Sequence, residues 1–170
     1  MITDIAPYIA LGWHTVPLQG KLERSGEDGT KTLPEFPSGW RVRYQDEFNK
    51  RVTKLGGVIT GKASNIIAVD CDNTATWQLF RQLDPDCAMV FISKGKACEA
   101  GTLIYEYDEE LSDNFSMSDG EIALDFYSNK GFIYLATAAN KTKVNMAEPL
   151  PALTRMPASI KLLLKQLSKK

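Results

Sequence analysis

The chain has 170 residues, 44% hydrophobic and 24% charged, an ordinary balance for one globular domain that can bury a core without staples. A formal net charge of −1 gives no global attraction to nucleic acid, although a local basic groove can coexist with an acidic site. The three cysteines form no CxxC pair, which argues against a zinc knuckle or a disulfide scaffold; with no signal-like N-terminus and no apolar run near ~20 residues, the expectation is a protein of the reducing cytoplasm with no membrane partner.

In chain order, Ile5 to Leu11 predicts a short helix stopped by Gly12, and Trp13 to Leu18 a strand entering a loop at Pro17. Gln19 to Gly39 is rich in Gly, Pro, Lys, Glu and Asp, a long polar connection of a kind that is often functional. Asp46 to Leu55 predicts a helix with Phe48, Val52 and Leu55 near one face, ended by Gly56-Gly57. Val58 to Gly61 and Asn65 to Val69 predict a hairpin that delivers Asp70 and Asp72 to one edge of a sheet. Thr74 to Leu83 follows as a helix burying Trp77, Phe80 and Leu83. Ala88 to Ser93 and Leu103 to Tyr107 are further strands, separated by the loop Lys94 to Thr102. Glu121 to Phe126 and Gly131 to Leu135 predict another strand pair, turned at Ser128-Asn129-Lys130-Gly131. Prolines 149, 151 and 157 punctuate a linker, and Ala158 to Leu167 predicts an amphipathic helix ending in basic residues. The order implies an α+β fold with a mixed or antiparallel sheet and flanking helices.

The chemistry concentrates at Ile66-Ile67-Ala68-Val69-Asp70-Cys71-Asp72-Asn73. Residues i and i+2 of a strand share a face, so Asp70 and Asp72 project together while Cys71 points into the core. Two adjacent carboxylates call for a compensating cation, and hard oxygen ligands suit Mg²⁺ or Mn²⁺. Such pairs serve sites that handle phosphates through metal ions. The simpler explanation is turn chemistry, since Asp and Asn favour turns. His14 is the sole histidine and reads as structural or pocket-lining. Trp13 and Trp77 read as core. Trp40, with Arg41 and Arg43 alternating beside it, fits an exposed basic edge for DNA. Lys50, Arg51 and Lys54 add charge on the next helix, where an ordinary solvated face is the simpler explanation.

Several separated pieces share one resemblance. Gly12-Trp13-His14-Thr15-Val16-Pro17-Leu18, Pro37-Ser38-Gly39-Trp40 and the block from Gly57 to Asp72 resemble, in matching order, segments of primase-polymerase (prim-pol) domains of the archaeo-eukaryotic primase superfamily. The resemblance covers roughly residues 5–138 and implies a prim-pol catalytic core over 1–148. Residues 149–170 would then be a Pro-rich linker and helix leading toward domains outside this chain, such as a helicase. It also implies a DNA primase/polymerase of the phage or plasmid replication type, working in a bacterial cytoplasm on a DNA template-primer and (d)NTPs with two Mg²⁺ or Mn²⁺ ions. Asp70 and Asp72 match the first metal-binding motif, and Asp125, in Ile122-Ala123-Leu124-Asp125-Phe126, is the natural match for the third carboxylate. Asp108, Asp119 and Glu121 are its competitors.

The chain departs from that family at the second motif, where a histidine usually contacts the incoming nucleotide's phosphates. The corresponding stretch from Ser93 to Tyr105 holds no histidine. Ser93 and Lys94 or Lys96 are the expected nucleotide-binding substitutes, with Gly95 and Gly101 letting backbone approach and Tyr105 near the sugar. Two other functions compete. A catalytically silent nucleic-acid-binding replication module would keep the fold without the histidine. A haloacid-dehalogenase-like phosphatase would use Asp70 as nucleophile and Asp72 as acid/base with one Mg²⁺, but needs a parallel sheet of βα units. No Walker A pattern occurs in the chain.

Overall fold

The computed structural model describes residues 1–25, 28–41, 45–48 and 51–170. In chain order they form α1 (Ala6–Ala10), β1 (Thr15–Leu18), β2 (Glu23–Ser25), β3 (Thr30–Thr32), α2 (Gln45–Phe48), β4 (Leu55–Ile59), β5 (Ile66–Cys71) and α3 (Thr74–Leu83). There follow β6 (Met89–Ser93), β7 (Gly101–Glu106), β8 (Phe115–Ser118), β9 (Ala123–Tyr127), β10 (Phe132–Tyr134), β11 (Lys143–Asn145) and α4 (Ala158–Leu167). Six strands make one sheet in the order β11-β6-β7-β5-β9-β8, three make a second in the order β1-β4-β10, and β2-β3 stand as a hairpin. Every pairing between these strands is antiparallel, so the class is α+β. No helix among the described residues is long and apolar enough to cross a membrane.

The apolar run Ile66 to Val69 explains the layering, because β5 buries both faces. Ile67, Val69 and Cys71 enter a core with Phe80 of α3 and Ile160, Leu164 and Leu167 of α4. Ile66 and Ala68 enter a second core, closed by Ile5 and Tyr8 at α1 and by Val58 and Ile133 of the small sheet. The stretch after residue 148 therefore contributes Met156 and the apolar face of α4 to the first core. A third cluster, beyond the small sheet, joins Val16, Leu18, Leu22 and Leu55 to Phe36, Trp40, Phe132 and Tyr134. The result is helices, large sheet and small sheet in successive layers.

Four local expectations are corrected. β4 and β5 do not form a hairpin within one sheet. They are joined across the intervening turn only by the bridge between Gly61 and Ile66, and two-sided burial draws β5 to the centre of the large sheet, between β7 and β9. Likewise β9 and β10 part at the turn after Tyr127: β9 pairs with β5 and β8, while β10 pairs with β4. The predicted helix from Asp46 to Leu55 shrinks to Gln45–Phe48. The Ile5 N–H donates to the Thr53 carbonyl at 3.0 Å, and Leu55 is buried in β4 opposite Leu18. Gly56-Gly57 is accordingly no helix stop. A Cβ on Gly56 would stand 2.7 Å from the Ile5 side chain, and one on Gly57 would overlap the Phe132 ring. Finally, the long polar connection contains β2 and β3.

Candidate functional site

Asp70 is the first polar residue on the β5 face that carries Ile66 and Ala68. Its direct cross-strand partners are Thr102 of β7 on one side and Asp125 of β9 on the other. Directly opposed residues share a face and stand ≈ 4.5–5.5 Å apart at Cβ, so sheet register alone brings the third carboxylate beside the first. Asp72 lies one residue past the strand, where its N–H donates to the Ala123 carbonyl at 2.8 Å. The turn chemistry at this point falls to Asn73, whose Oδ1 accepts the Thr76 N–H at 2.8 Å and caps α3. Asp72 is thereby left to face the cavity.

Asp70, Asp72, Asp125, Ser93 and Lys96 line one cavity of about 250 Å³. Arg24 and Lys31 of the β2-β3 hairpin, Thr142, Lys143 of β11, Tyr127 of β9 and Phe132 to Tyr134 of β10 complete its walls. Four cationic side chains thus face three carboxylates, a local surplus of one positive charge.

Two of the cations already hold carboxylates. Lys96 Nζ donates to Asp72 Oδ1 at 2.8 Å. Lys143, with its side chain only 10% exposed, lies 3.4 Å from Asp70 Oδ1 and donates to Thr102 Oγ1 at 2.7 Å. The buried Thr102 hydroxyl passes the relay on, donating to Asp70 Oδ1 at 2.7 Å. The Tyr127 hydroxyl donates to Asp125 Oδ2 at 3.3 Å; burial, and then the Asp125 charge, push its pKa up, so it stays a donor. As the side chains stand, no group of three His, Cys, Asp or Glu among the described residues is arranged to hold a metal ion, the lysines occupying oxygens of Asp70 and Asp72.

The hairpin cations are placed differently. Arg24 donates from one guanidinium nitrogen to the Gly29 carbonyl at 3.3 Å, while its Nε is buried without a partner. Lys31 lies 4.9 Å from the centre of the Tyr134 ring. Burial, followed by repulsion from Lys143 and Arg24, lowers its pKa.

Not every expected residue meets here. Lys94 lines a separate cavity with Ala136, Lys141 and Val144, leaving Lys96 as the loop's contribution to the acidic site. Tyr105 has the opposite strand parity to Thr102; it is fully buried in the core under α3 and donates to Asp84 Oδ2 at 3.0 Å, so it takes no part in the cavity. Gly101 makes room for the Trp77 ring, 2.7 Å from where its Cβ would stand, not for a phosphate. Trp40 lies beyond the small sheet, packed on Phe36 and Phe132 at 5.0 and 5.1 Å between ring centres, with Arg41 stacked 4.4 Å over it. Arg43 and Lys50 lie outside the described residues. His14 stands away from the cavity, its Nε2 buried without a partner and its pKa lowered by burial. Among the rival carboxylates, Asp108 is 2.7 Å from Lys161, and Asp119 accepts the N–H groups of Glu121 and Ile122 in its own turn.

Arg24, Lys31, Thr102 and Lys143 were not marked by any motif. The first two lie in the long polar connection from Gln19 to Gly39, whose length is the sequence signal for them. No family model matches the chain, and no curated protein matches it.

Proposed function

We propose that the chain is a primase-polymerase-type nucleotidyltransferase domain, adding nucleotides from (d)NTPs to a DNA template-primer. The observation that carries the reading is the register of β5 and β9, which sets Asp125 opposite Asp70 in the cavity that also holds Asp72. They are the three residues that the prim-pol resemblance implies as metal ligands.

In the proposed reaction the primer 3′-oxygen attacks the α-phosphorus, forming a new P–O bond. The α–β bridging bond breaks, the hydroxyl proton is lost, and pyrophosphate leaves with the electron pair. The donor set fits Mg²⁺ or Mn²⁺ in kind, being three carboxylates on one cavity wall. Two such ions, when bound, would supply the Lewis acid that activates the hydroxyl and offsets the charge of the leaving group. Asp70, Asp72 and Asp125 would hold them, with Thr102 orienting Asp70; Lys96 and Lys143, released from their carboxylates, would turn to phosphate oxygens. Ser93 offers a hydroxyl at the same wall.

The test is template-dependent primer extension with Mn²⁺ or Mg²⁺. Metal-centred stabilisation is worth several kcal/mol, so Asp70→Ala lowers the rate by roughly 10³-fold or more, to background. A rate insensitive to Asp70→Ala overturns the assignment.

One observation favours a second reading, the catalytically silent nucleic-acid-binding module: Lys96 and Lys143 already give Asp72 and Asp70 the positive charge a metal would bring. DNA binding unaffected by Asp70→Ala, with no synthesis by the unaltered chain, selects that reading. The phosphatase alternative needs a parallel sheet around its first aspartate, whereas β5 is flanked by antiparallel strands on both sides.

A further inference from the structure

Beyond the carboxylates, the cavity holds two cations, Arg24 and Lys31, that pair with no carboxylate among the described residues. Lys96 and Lys143 are engaged with Asp72 and Asp70. Arg24 Nε is an N–H donor removed from solvent and unsatisfied, an arrangement that costs ~1–3 kcal/mol unless something accepts from it. Burial, and then like charge from Lys143 and Arg24, makes the Lys31 proton costly to keep, with the Asp70 charge opposing them. Two glycines flank the Arg24 side chain: Gly29 of the hairpin and Gly95 of the loop between β6 and β7 both have positive φ, and the space beside each is filled by that side chain at 3.5–3.7 Å. A cluster of half-buried cationic donors carrying surplus charge is the complement of a multiply charged anion.

We propose that the β2-β3 hairpin is an anion clamp, in which Arg24 and Lys31 bind the triphosphate chain of the incoming nucleotide against the acidic wall of β5 and β9. The assignment rests on the nucleotidyltransferase reading for the identity of its ligand, but not for the presence of an anion site. A cavity of about 250 Å³ is below the ~300 Å³ lower end of small-molecule sites, which suits a phosphate chain with sugar and base lying outside. The guanidinium of Arg24 supplies the planar fork that grips two phosphate oxygens, and Lys31 supplies a point charge. The pair does the work that the second-motif histidine would do, from a part of the chain well before that motif.

The test uses the full chain without metal, in EDTA, with inorganic tripolyphosphate titrated by calorimetry. The unaltered chain binds tripolyphosphate more tightly than orthophosphate, and a dNTP competes for the same site. Arg24→Ala and Lys31→Ala each weaken binding roughly ten- to hundredfold, the range of a charge-assisted hydrogen bond, and the double variant abolishes it. The shape-conserving variants Arg24→Gln and Lys31→Met carry the same expectation, so misfolding of an alanine form leaves the test standing. Undiminished tripolyphosphate binding in the double variant, or none in the unaltered chain, overturns the clamp. Displacement by a single-stranded oligonucleotide but not by a dNTP overturns it too, assigning the cations to a nucleic-acid backbone. Because binding is read without metal or turnover, the two proposals fail separately. Clamp-dependent binding with no extension activity leaves the clamp and removes the polymerase; Asp70-dependent extension with an unchanged dNTP KM in the double variant does the reverse.

Discussion

Thr102 shows how much of the site depends on residues that never touch a phosphate. Its hydroxyl is fully buried, accepts from Lys143 and donates to Asp70, each at 2.7 Å. Replacing it with valine keeps the volume but leaves a partly buried carboxylate oxygen and an ammonium each short of a partner. Thr102→Val should therefore cost ~1–3 kcal/mol of stability, read from a urea midpoint, and should lower extension activity without changing tripolyphosphate binding. Thr102→Ser, which keeps the hydroxyl, should restore both. The residue was invisible in the sequence because its role follows from register: it faces Asp70 only once β7 is aligned on β5.

At the scale of elements, strong local periodicity was sufficient. The helices Thr74–Leu83 and Ala158–Leu167 occupy the expected spans, since each presents an apolar stripe to one core. The segments with no strand pattern in the sequence, Glu23–Ser25, Thr30–Thr32, Phe115–Ser118 and Lys143–Asn145, are short and largely polar, and exist as strands by virtue of their pairing partners. The Gly56-Gly57 pair misled for a related reason. Glycine after an apolar periodic stretch is a helix-stop signal, but here both glycines yield space to Ile5 and Phe132 from distant elements. The consequence is measurable. Gly57→Ala forces a methyl group into the Phe132 ring, and should lower stability by ~1–3 kcal/mol in chemical denaturation. Phe132 also walls the cavity, so the same variant should raise the dNTP KM.

The whole molecule joins a legible half-site to an illegible one. Asp70 and Asp72 are legible from the local strand-and-carboxylate pattern, whereas Asp125, Ser93 and Lys96 come only from the prim-pol resemblance. Arg24, Lys31 and Lys143 reach the same cavity from elements that no local pattern connects to it, and Lys94, beside Ser93, and Tyr105, on the same strand as Thr102, are turned elsewhere. Alternation along a strand and loop direction decide such cases, and both depend on tertiary packing.

The central position of β5 has a kinetic side. Its amides are hydrogen-bonded into strands on both flanks, between two apolar cores, whereas Arg24 and Lys31 ride on a two-stranded ribbon with half-exposed or exposed residues. Two-stranded ribbons are marginally stable by themselves, and opening free energies within one protein run from near zero to the global value. Native-state hydrogen exchange should therefore place Val69 and Cys71 among the slowest amides, exchanging only by global unfolding, with those of the ribbon exchanging through cheap local openings. A uniform rate across the two would contradict this. The acidic wall would then keep its geometry while the cationic arm lifts and resettles, giving a charged ligand a way in and out without disturbing the carboxylates.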